Sequence, residues 1–333
     1  MIPHNKPTLG LEEQDAAKRV IESGWLVSGP ETKAFENEFC RFLGLSNNHA
    51  VAVSNGTSAL FLALNAINAR KKKISIPTYS CSALRNAVKM AGGHEEILDI
   101  SKHSPNANFS KKTDISIVTH MFGIPIDTSN FQGTVIEDCC QALGAKINQT
   151  FVGLQGNLGI FSFYASKLLT TGGQGGMIVS KNKNLIKSIK DFLEFDLRND
   201  QKIRFNFQFT DLQAAIGREQ LKKLPMFLKK REKIFQKYKK SGFDLIDIDK
   251  KDKNHLYPVR YRAVLLTNKP KSVIKSLEKS GVKSIVPIMD WELLGFKSNF
   301  PNALELSKKT VSLPIYPSLT DEEIEIIIKA ANV

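Results

Sequence analysis

The sequence contains no long apolar run. No stretch approaches the roughly 18 consecutive apolar residues that a membrane-spanning helix needs, and the opening MIPHNKPTLG has no apolar core of a signal peptide. We therefore expect a protein of the cytoplasm that neither enters a membrane nor is exported.

Cysteines and nucleotide-binding motifs are also scarce. The four cysteines, Cys40, Cys81, Cys139 and Cys140, show neither CxxC spacing nor the density of a secreted disulfide scaffold. The GGQGG run at 172–176 lacks the Lys-Ser/Thr pair of a P-loop and does not match GxGxxG. These absences favour a reducing compartment, leave the glycine run as a tight loop, and lead us to assign no metal ligands.

Positive charge, in contrast, is abundant, with a formal net charge of +14. Such a charge is compatible with nucleic-acid binding, with attraction of an anionic small molecule, or with a lysine-rich solvated surface. The lysines are scattered, and the densest basic cluster, at 228–240, has the apolar spacing of an amphipathic helix. Without a helix-turn-helix signal or a basic recognition helix, we expect no nucleic-acid partner.

Between residues 49 and 180, short β-branched runs alternate with helix-like segments, as in parallel α/β sheets. The predicted strands are 49–53, 74–76, 115–119, 135–137, 160–163 and 177–179. A helix at 59–67 follows the first strand and the turn SNGTS. The pattern predicts a large α/β domain that includes the N-terminal segment and extends to about residue 240.

The second part of the chain begins with helices. The capping-box spacing of TDLQ at 210–213 predicts one helix, and Pro225 suits the first turn of another, so we expect two consecutive helices. A strand-like LYPVRYRAVLL, a helix at 270–279 and a last helix opened by TDEE at 320–323 follow. We predict a small α+β C-terminal domain over 241–333 after the large domain over 1–240.

Residues suited to an aldehyde cofactor stand at the predicted strand ends. An enzyme that uses a phosphorylated pyridine aldehyde as cofactor needs a lysine to hold the aldehyde, a carboxylate to keep the pyridine nitrogen protonated, and backbone donors for the phosphate. Asp138 and Lys167 each follow a predicted strand, and Gly56, Thr57 and Ser58 occupy a strand-to-helix turn that suits phosphate. Taken singly, each is more often a capping aspartate, a surface lysine or an ordinary turn.

Four segments carry these residues in a fixed order: SNGTSAL at 54–60, EDCCQA at 137–142, SFYASK at 162–167 and NFQFTDLQAAIG at 206–217. In this order they resemble the DegT/StrS family of pyridoxal-phosphate-dependent sugar aminotransferases, and the resemblance extends from SGWLVSGP at 23–30 to LPIYPSL at 313–319. It implies a fold-type-I transferase with a mainly parallel seven-stranded sheet flanked by helices. It also implies a homodimer with shared active sites.

The resemblance implies a reaction as well. Lys167 would hold pyridoxal 5'-phosphate as an aldimine, and the enzyme would move an amino group from an amino acid, by likeness L-glutamate, to a keto-sugar that is nucleotide-linked. The implied binding residues are Asp138 for the pyridinium nitrogen, Gln141 near the phenolic oxygen, Thr57, Ser58 and Ser162 for the phosphate, and Asn206 for the phosphate of the partner subunit.

The sequence departs from the family pattern at several positions. Cys81 stands where the family usually places an aromatic residue over the pyridine ring, although Tyr79 is two residues away. Gln174 and Gln208 replace a usual glutamate and arginine, and the stretch 126–138 is shorter than in typical members. These changes put the substrate contacts in question.

Two other functions remain open from the sequence. A sugar dehydratase of the same family has histidine at the lysine position, so Lys167 favours the aminotransferase. A non-catalytic DNA-binding regulator would account for the positive charge, but no sequence motif supports it.

Overall fold

A seven-stranded sheet organises the larger part of the fold. The structure is a computed structural model that describes residues 1–102 and 104–332. The strands are β1 (Ala50–Val53), β2 (Lys73–Pro77), β3 (His94–Leu98), β4 (Ile115–Thr119), β5 (Thr134–Asp138), β6 (Lys146–Ile147), β7 (Thr150–Phe151), β8 (Leu158–Ser162), β9 (Gly176–Val179), β10 (Leu256–Tyr257), β11 (Ala263–Leu266) and β12 (Thr310–Leu313). The helices are α1 (Leu11–Ser23), α2 (Pro30–Phe42), α3 (Gly56–Ala66), α4 (Ala83–Met90), α5 (Lys183–Leu193), α6 (Asp211–Lys240), α7 (Pro270–Lys279), α8 (Pro301–Lys308) and α9 (Asp321–Ala331).

The strand order in the large sheet is β1-β9-β8-β5-β4-β2-β3. Only β9 runs antiparallel to its neighbours, β1 and β8, so the predicted mainly parallel seven-stranded sheet is confirmed. The central strands are buried at almost every position, because helices cover both faces of such a sheet. Within this sheet the sequence analysis missed β3, whose HEEIL sequence is polar and which lies at the sheet edge; outside it, β6, β7 and β12 were also not predicted.

The predicted helix after β1 begins three residues earlier than expected, at Gly56. Asn55 caps it, since the Ser58 N–H donates to Asn55 Oδ1 over 2.9 Å. Every residue from Ser58 to Leu64 is buried, as expected for a helix that is apolar on all sides. This cap places the turn SNGTS at the carboxyl end of β1.

The prediction of two consecutive helices around Pro225 is wrong, because α6 is one helix of 30 residues with Pro225 inside it. Proline removes one backbone hydrogen bond, but Leu224 and Phe227 on either side are buried and hold the helix against the rest of the fold. The capping box at its start is confirmed: Gln213 N–H donates to Thr210 Oγ1, and Thr210 N–H donates to Gln213 Oε1, each over 3.3 Å.

The C-terminal part contains the antiparallel pair β11 and β12. The predicted helices at 270–279 and after Thr320 are confirmed as α7 and α9. Its apolar core also takes in Ile2 and three residues of α6, namely Ile234, Phe235 and Tyr238. The division of the chain at residue 240 stays a prediction. Among the described helices, none is long and apolar enough to cross a membrane.

One buried carboxylate joins the starts of α6 and α2. Gly29 precedes α2 and has no side chain with which to cap it. Asp211, only 2% exposed, supplies the cap from α6: its oxygens accept hydrogen bonds from the N–H groups of Gly29, Glu31 and Thr32 and from the Thr32 hydroxyl, at 2.7 to 3.0 Å. Four donors therefore depend on a single side chain.

We predict that Asp211→Ala lowers the free energy of unfolding by about 3 kcal/mol, because it leaves buried donors without their charged acceptor. The matched control is Thr210→Ala, which removes only the cap of α6 and should cost about 1 kcal/mol. Urea denaturation of both variants measures the difference. Equal losses would contradict the shared-cap interpretation.

Candidate active site

The carboxyl ends of four strands meet at one edge of the large sheet. Thr119 at the end of β4 lies opposite Asp138 at the end of β5. Val53 of β1 and Ser162 of β8 both lie opposite Gly176 of the antiparallel strand β9. The turns that leave β1, β4, β5 and β8 therefore converge, as ligand-binding turns do in parallel α/β sheets.

A cavity of about 340 Å³ lies at this edge. The predicted site residues that line it are Gly56, Thr57, Cys81, Asp138, Gln141, Ser162 and Lys167. Lining residues that the sequence analysis missed include Asn55, Ser80, Thr119, His120, Met121, Cys140 and Tyr164. The sequence did give a signal for Thr119 and His120: Thr119 ends the predicted strand 115–119 and His120 follows it, just as Asp138 follows the next predicted strand, 135–137.

Two predicted residues do not line this cavity. Ser58 is buried, and its hydroxyl donates to Oδ1 of Asn55 over 3.1 Å. Asn206 is exposed, and its Oδ1 accepts a hydrogen bond from the Gln208 N–H over 3.2 Å. Within the single chain, Asn206 thus stands apart from the residues that surround Lys167.

Lys167 reaches the cavity from the loop that follows β8. Its backbone N–H donates to the Tyr164 carbonyl over 2.8 Å, which fixes the turn. Burial lowers the pKa of the Lys167 ammonium, but Tyr261, Cys140 and Asp138 outweigh it, and the pKa lies above its ordinary value. The amine is therefore held as a cation.

Asp138 and Gln141 are fixed by backbone donors. Asp138 is 9% exposed, and its Oδ1 accepts from the Cys140 N–H over 3.0 Å. Gln141 Oε1 accepts from the Phe122 N–H over 2.9 Å, so the oxygen end of this amide is occupied. Backbone N–H groups of the same chain therefore hold both side chains in the cavity wall.

Behind Asp138 lies a buried pair, His120 and Glu137, with His120 Nε2 3.2 Å from Glu137 Oε2. Burial raises the pKa of Glu137, but the bond to His120 and backbone N–H donors hold it below its ordinary value. Cys139 completes a cluster whose possible metal-binding atoms lie within 4.8 Å of one another. The cluster has little capacity left for a metal, because Glu137 also accepts from the N–H groups of Gln155 and Gly156.

The cavity has the features that a phosphate-bearing pyridine needs. A Cβ atom added at Gly56 would lie 3.1 Å from Ser162 Cβ, so glycine keeps a backbone cradle open at the start of α3. Thr119 lines the same cavity, and its buried hydroxyl has no hydrogen-bond partner among the described residues. Together with Lys167 and Asp138, these groups fit pyridoxal phosphate.

The positions that depart from the family pattern do not all lie at the cavity. Cys81 is exposed at the cavity, and Gln174 lines it too. Tyr79 does not compensate for the missing aromatic ring: it is fully buried and packs edge-on against Phe122, away from the cavity wall. Gln208 also lies outside, where its amide donates to the Leu193 carbonyl.

Comparison with known proteins defines the class. The sequence pattern of the DegT/DnrJ/EryC1/StrS aminotransferase family matches residues 7–332, so the chain belongs to that family. Solved structures similar to the chain include aminotransferases in pyridoxal phosphate and pyridoxamine phosphate forms. The enzyme is therefore an aminotransferase of this family, and pyridoxal phosphate is its cofactor.

Individual relatives cover almost the whole chain. The spore coat polysaccharide biosynthesis protein SpsC of Bacillus subtilis is 30% identical over 99% of this chain and 96% of its own length. GDP-perosamine synthase of Escherichia coli O157:H7 is 28% identical, with 99% and 98% covered. The structure of the aminotransferase TlmJ from Streptoalloteichus hindustanus has a TM-score of 0.91 at 24% identity, covering 99% and 97%. It bears out the expected fold.

We predict that iodoacetamide at neutral pH alkylates Cys81 well before the other cysteines. Cys81 is exposed, whereas burial raises the pKa of Cys40, Cys139 and Cys140. Peptide mass spectrometry over time measures the order, and Cys81→Ser should remove the fast phase. Faster labelling of Cys140 would contradict the described exposure.

Proposed function

We propose that this sugar aminotransferase moves an amino group from L-glutamate to a nucleotide-linked keto-sugar and that Lys167 is the residue that holds its cofactor. The observation that carries the proposal is the meeting of an amine, a carboxylate and an open backbone cradle in one cavity. Lys167, Asp138 and Gly56 supply these three groups from three separate strand ends.

Each group has a distinct task in the proposed reaction. Pyridoxal phosphate, when bound, supplies an electron-withdrawing ring that acidifies a neighbouring C–H bond. Lys167 Nζ then carries the released proton between the two reacting carbons. Asp138, whose orientation is fixed by Cys140, keeps a proton on the ring nitrogen because a carboxylate favours a cation beside it.

The phosphate has a proposed cradle at the start of α3. Backbone N–H groups at Gly56 and Thr57 and the hydroxyl of Ser162 line the cavity there. The first turn of a helix favours an anion, since its N–H groups have no partner within the helix. Asn55 and the Thr119 hydroxyl join this set as further candidates.

The proposed substrates rest on the family and on charge. The similar GDP-perosamine synthases are named for a nucleotide-linked sugar, and a net charge of +14 attracts such anions. The dehydratase alternative is disfavoured because the amine of Lys167 can both hold the aldehyde and carry a proton. Membership of an aminotransferase family likewise disfavours a non-catalytic regulator. We propose the cytoplasm as the compartment.

The exposed position of Asn206 supports a shared active site in a homodimer. Large apolar side chains are exposed nearby in sequence, including Ile203 at 78% and Phe205 at 47%. A second segment with an exposed apolar side chain, Trp25 at 56%, is joined to the start of α6, since the Asp211 N–H donates to the Leu26 carbonyl. Apolar residues of this kind suit burial against a second copy, and Asn206 would then reach the partner's phosphate.

We predict that L-glutamate shifts the absorbance of the enzyme loaded with pyridoxal phosphate toward that of its amine form. Lys167→Ala should abolish the shift and reduce turnover by about 10³-fold or more, because Lys167 supplies the only amine among the described residues that line the cavity. The exposed Lys181→Ala serves as the matched control and should behave like the wild type. Borohydride reduction followed by peptide mapping to a lysine other than Lys167 would exclude the assignment.

A second prediction concerns the shared site. When Lys167→Ala and Asn206→Asp subunits are mixed, each heterodimer should have one intact site and one doubly altered site. Random pairing should restore roughly a quarter of the wild-type activity, although each variant alone is nearly inactive. Assays of the mixture, with heterodimers verified by native mass spectrometry, measure this recovery. If verified heterodimers stay inactive, Asn206 acts within its own chain or outside the site.

A further inference from the structure

A second, smaller cavity lies behind Lys167. It is lined by His4 and Asn5 of the N-terminal segment, by Ser166, and by Tyr261, Arg262 and Ser312 of the C-terminal part. Tyr261 is 8% exposed and precedes β11. Its ring lines this cavity and also lies 5.3 Å from Lys167 Nζ, which lines the larger one.

Three cations surround this tyrosine. Lys167 Nζ lies 5.3 Å from the centroid of the Tyr261 ring, and Arg262 Cζ lies 5.4 Å from the same point. Arg231, buried in α6, donates from Nη1 to the Tyr261 carbonyl over 3.2 Å. Lys167, from the loop after β8, and Arg262, from the segment before β11, thus approach the ring, whereas Arg231 approaches the backbone of the same residue from α6.

Within the described residues, no carboxylate is bonded to either guanidinium. Arg231 donates only to backbone carbonyls, and Arg262 contacts His4 and Ser312. His4 adds no negative charge and is neutral, because burial and Arg262 lower its pKa to about 3. Uncompensated buried charge is costly, and Tyr261 is an acidic residue whose ring lies close to both Lys167 and Arg262.

We propose that Tyr261 is a positioning residue for Lys167: the face of its ring holds the ammonium group, and its phenol keeps that amine protonated until the cofactor is attached. The inference rests on the proposed role of Lys167. A ring face attracts a cation within about 6 Å of its centroid, and the 5.3 Å separation satisfies this limit. The Tyr261 hydroxyl adds an ionisable group, which a phenylalanine at this position would lack.

The protonation equilibria agree with this geometry. Burial raises the pKa of Tyr261, but Lys167, Arg262, a hydrogen bond with Ser166, and Arg231 outweigh it and bring the pKa below its ordinary value. In turn, Tyr261 is the largest influence that raises the pKa of Lys167, ahead of Cys140, Asp138 and Cys81. The effects are reciprocal, as coupled titrations require.

Acylation of the cofactor-free enzyme with acetic anhydride across a pH series tests the proposal, because only the neutral amine reacts. Peptide mass spectrometry follows Lys167 and the surface lysines in the same sample, and the midpoint of each profile reports its pKa. Tyr261→Phe should move the Lys167 midpoint to lower pH, so that labelling below the wild-type midpoint rises severalfold. The control Tyr238→Phe, which removes another buried hydroxyl, should leave the midpoint unchanged.

An unchanged midpoint in Tyr261→Phe, or an equal shift in Tyr238→Phe, would overturn the proposal. The reciprocal experiment avoids altering Tyr261: in wild-type protein one tyrosine should ionise at lower pH than the others by near-ultraviolet absorbance, and Lys167→Ala should move it to higher pH. Absence of that movement would also overturn it. Borohydride mapping is a separate readout, so an error in the assignment of Lys167 as cofactor holder is distinguishable from an error about Tyr261.

Discussion

The cost of keeping a charged amine out of water governs the arrangement around Lys167. A lone buried ammonium tends to lose its proton, yet here the surrounding groups raise its pKa. These groups come from distant parts of the chain: Asp138 and Cys140 from the end of β5, and Tyr261 from the segment before β11. The large sheet and the C-terminal part must therefore both be folded before the amine has its environment.

The order and direction of the strands bring the residues of the large sheet to the cavity around Lys167. Because β4, β5 and β8 run parallel and adjacent, Thr119 lies opposite Asp138, and Ser162 follows two residues after Ile160, the partner of Asp138 in β8. The antiparallel strand β9 lies between β1 and β8, so it begins at the edge of the sheet where the cavity lies. The glycine-rich turn before β9 therefore contributes Gln174 to the cavity wall. Caps such as Asn55 and Asp211 then set where the flanking helices start.

Local patterns predicted most of the sheet and the strand-end site residues, since β-branched runs and turn signals depend on near neighbours. They failed where long-range packing decided the outcome. Pro225 suggests a helix start, but buried neighbours carry α6 straight through it. Tyr261 has no local signal, because its importance comes from Lys167, far away in sequence. Asn206 received its role only from family resemblance, and a single chain leaves it exposed.

The long helix α6 belongs to two apolar cores. Ala214, Leu221 and Leu224 pack into the core beneath the large sheet, whereas Phe235 and Tyr238 pack into the C-terminal core. With 30 residues at 1.5 Å each, the helix is a continuous rod of about 45 Å. The two cores therefore share the helix α6. We expect that unfolding of one core also destabilises the part of the helix that packs into the other. The consequence is thermodynamic cooperativity: the chain resists separation into independently melting halves, although its strands divide into separate sheets.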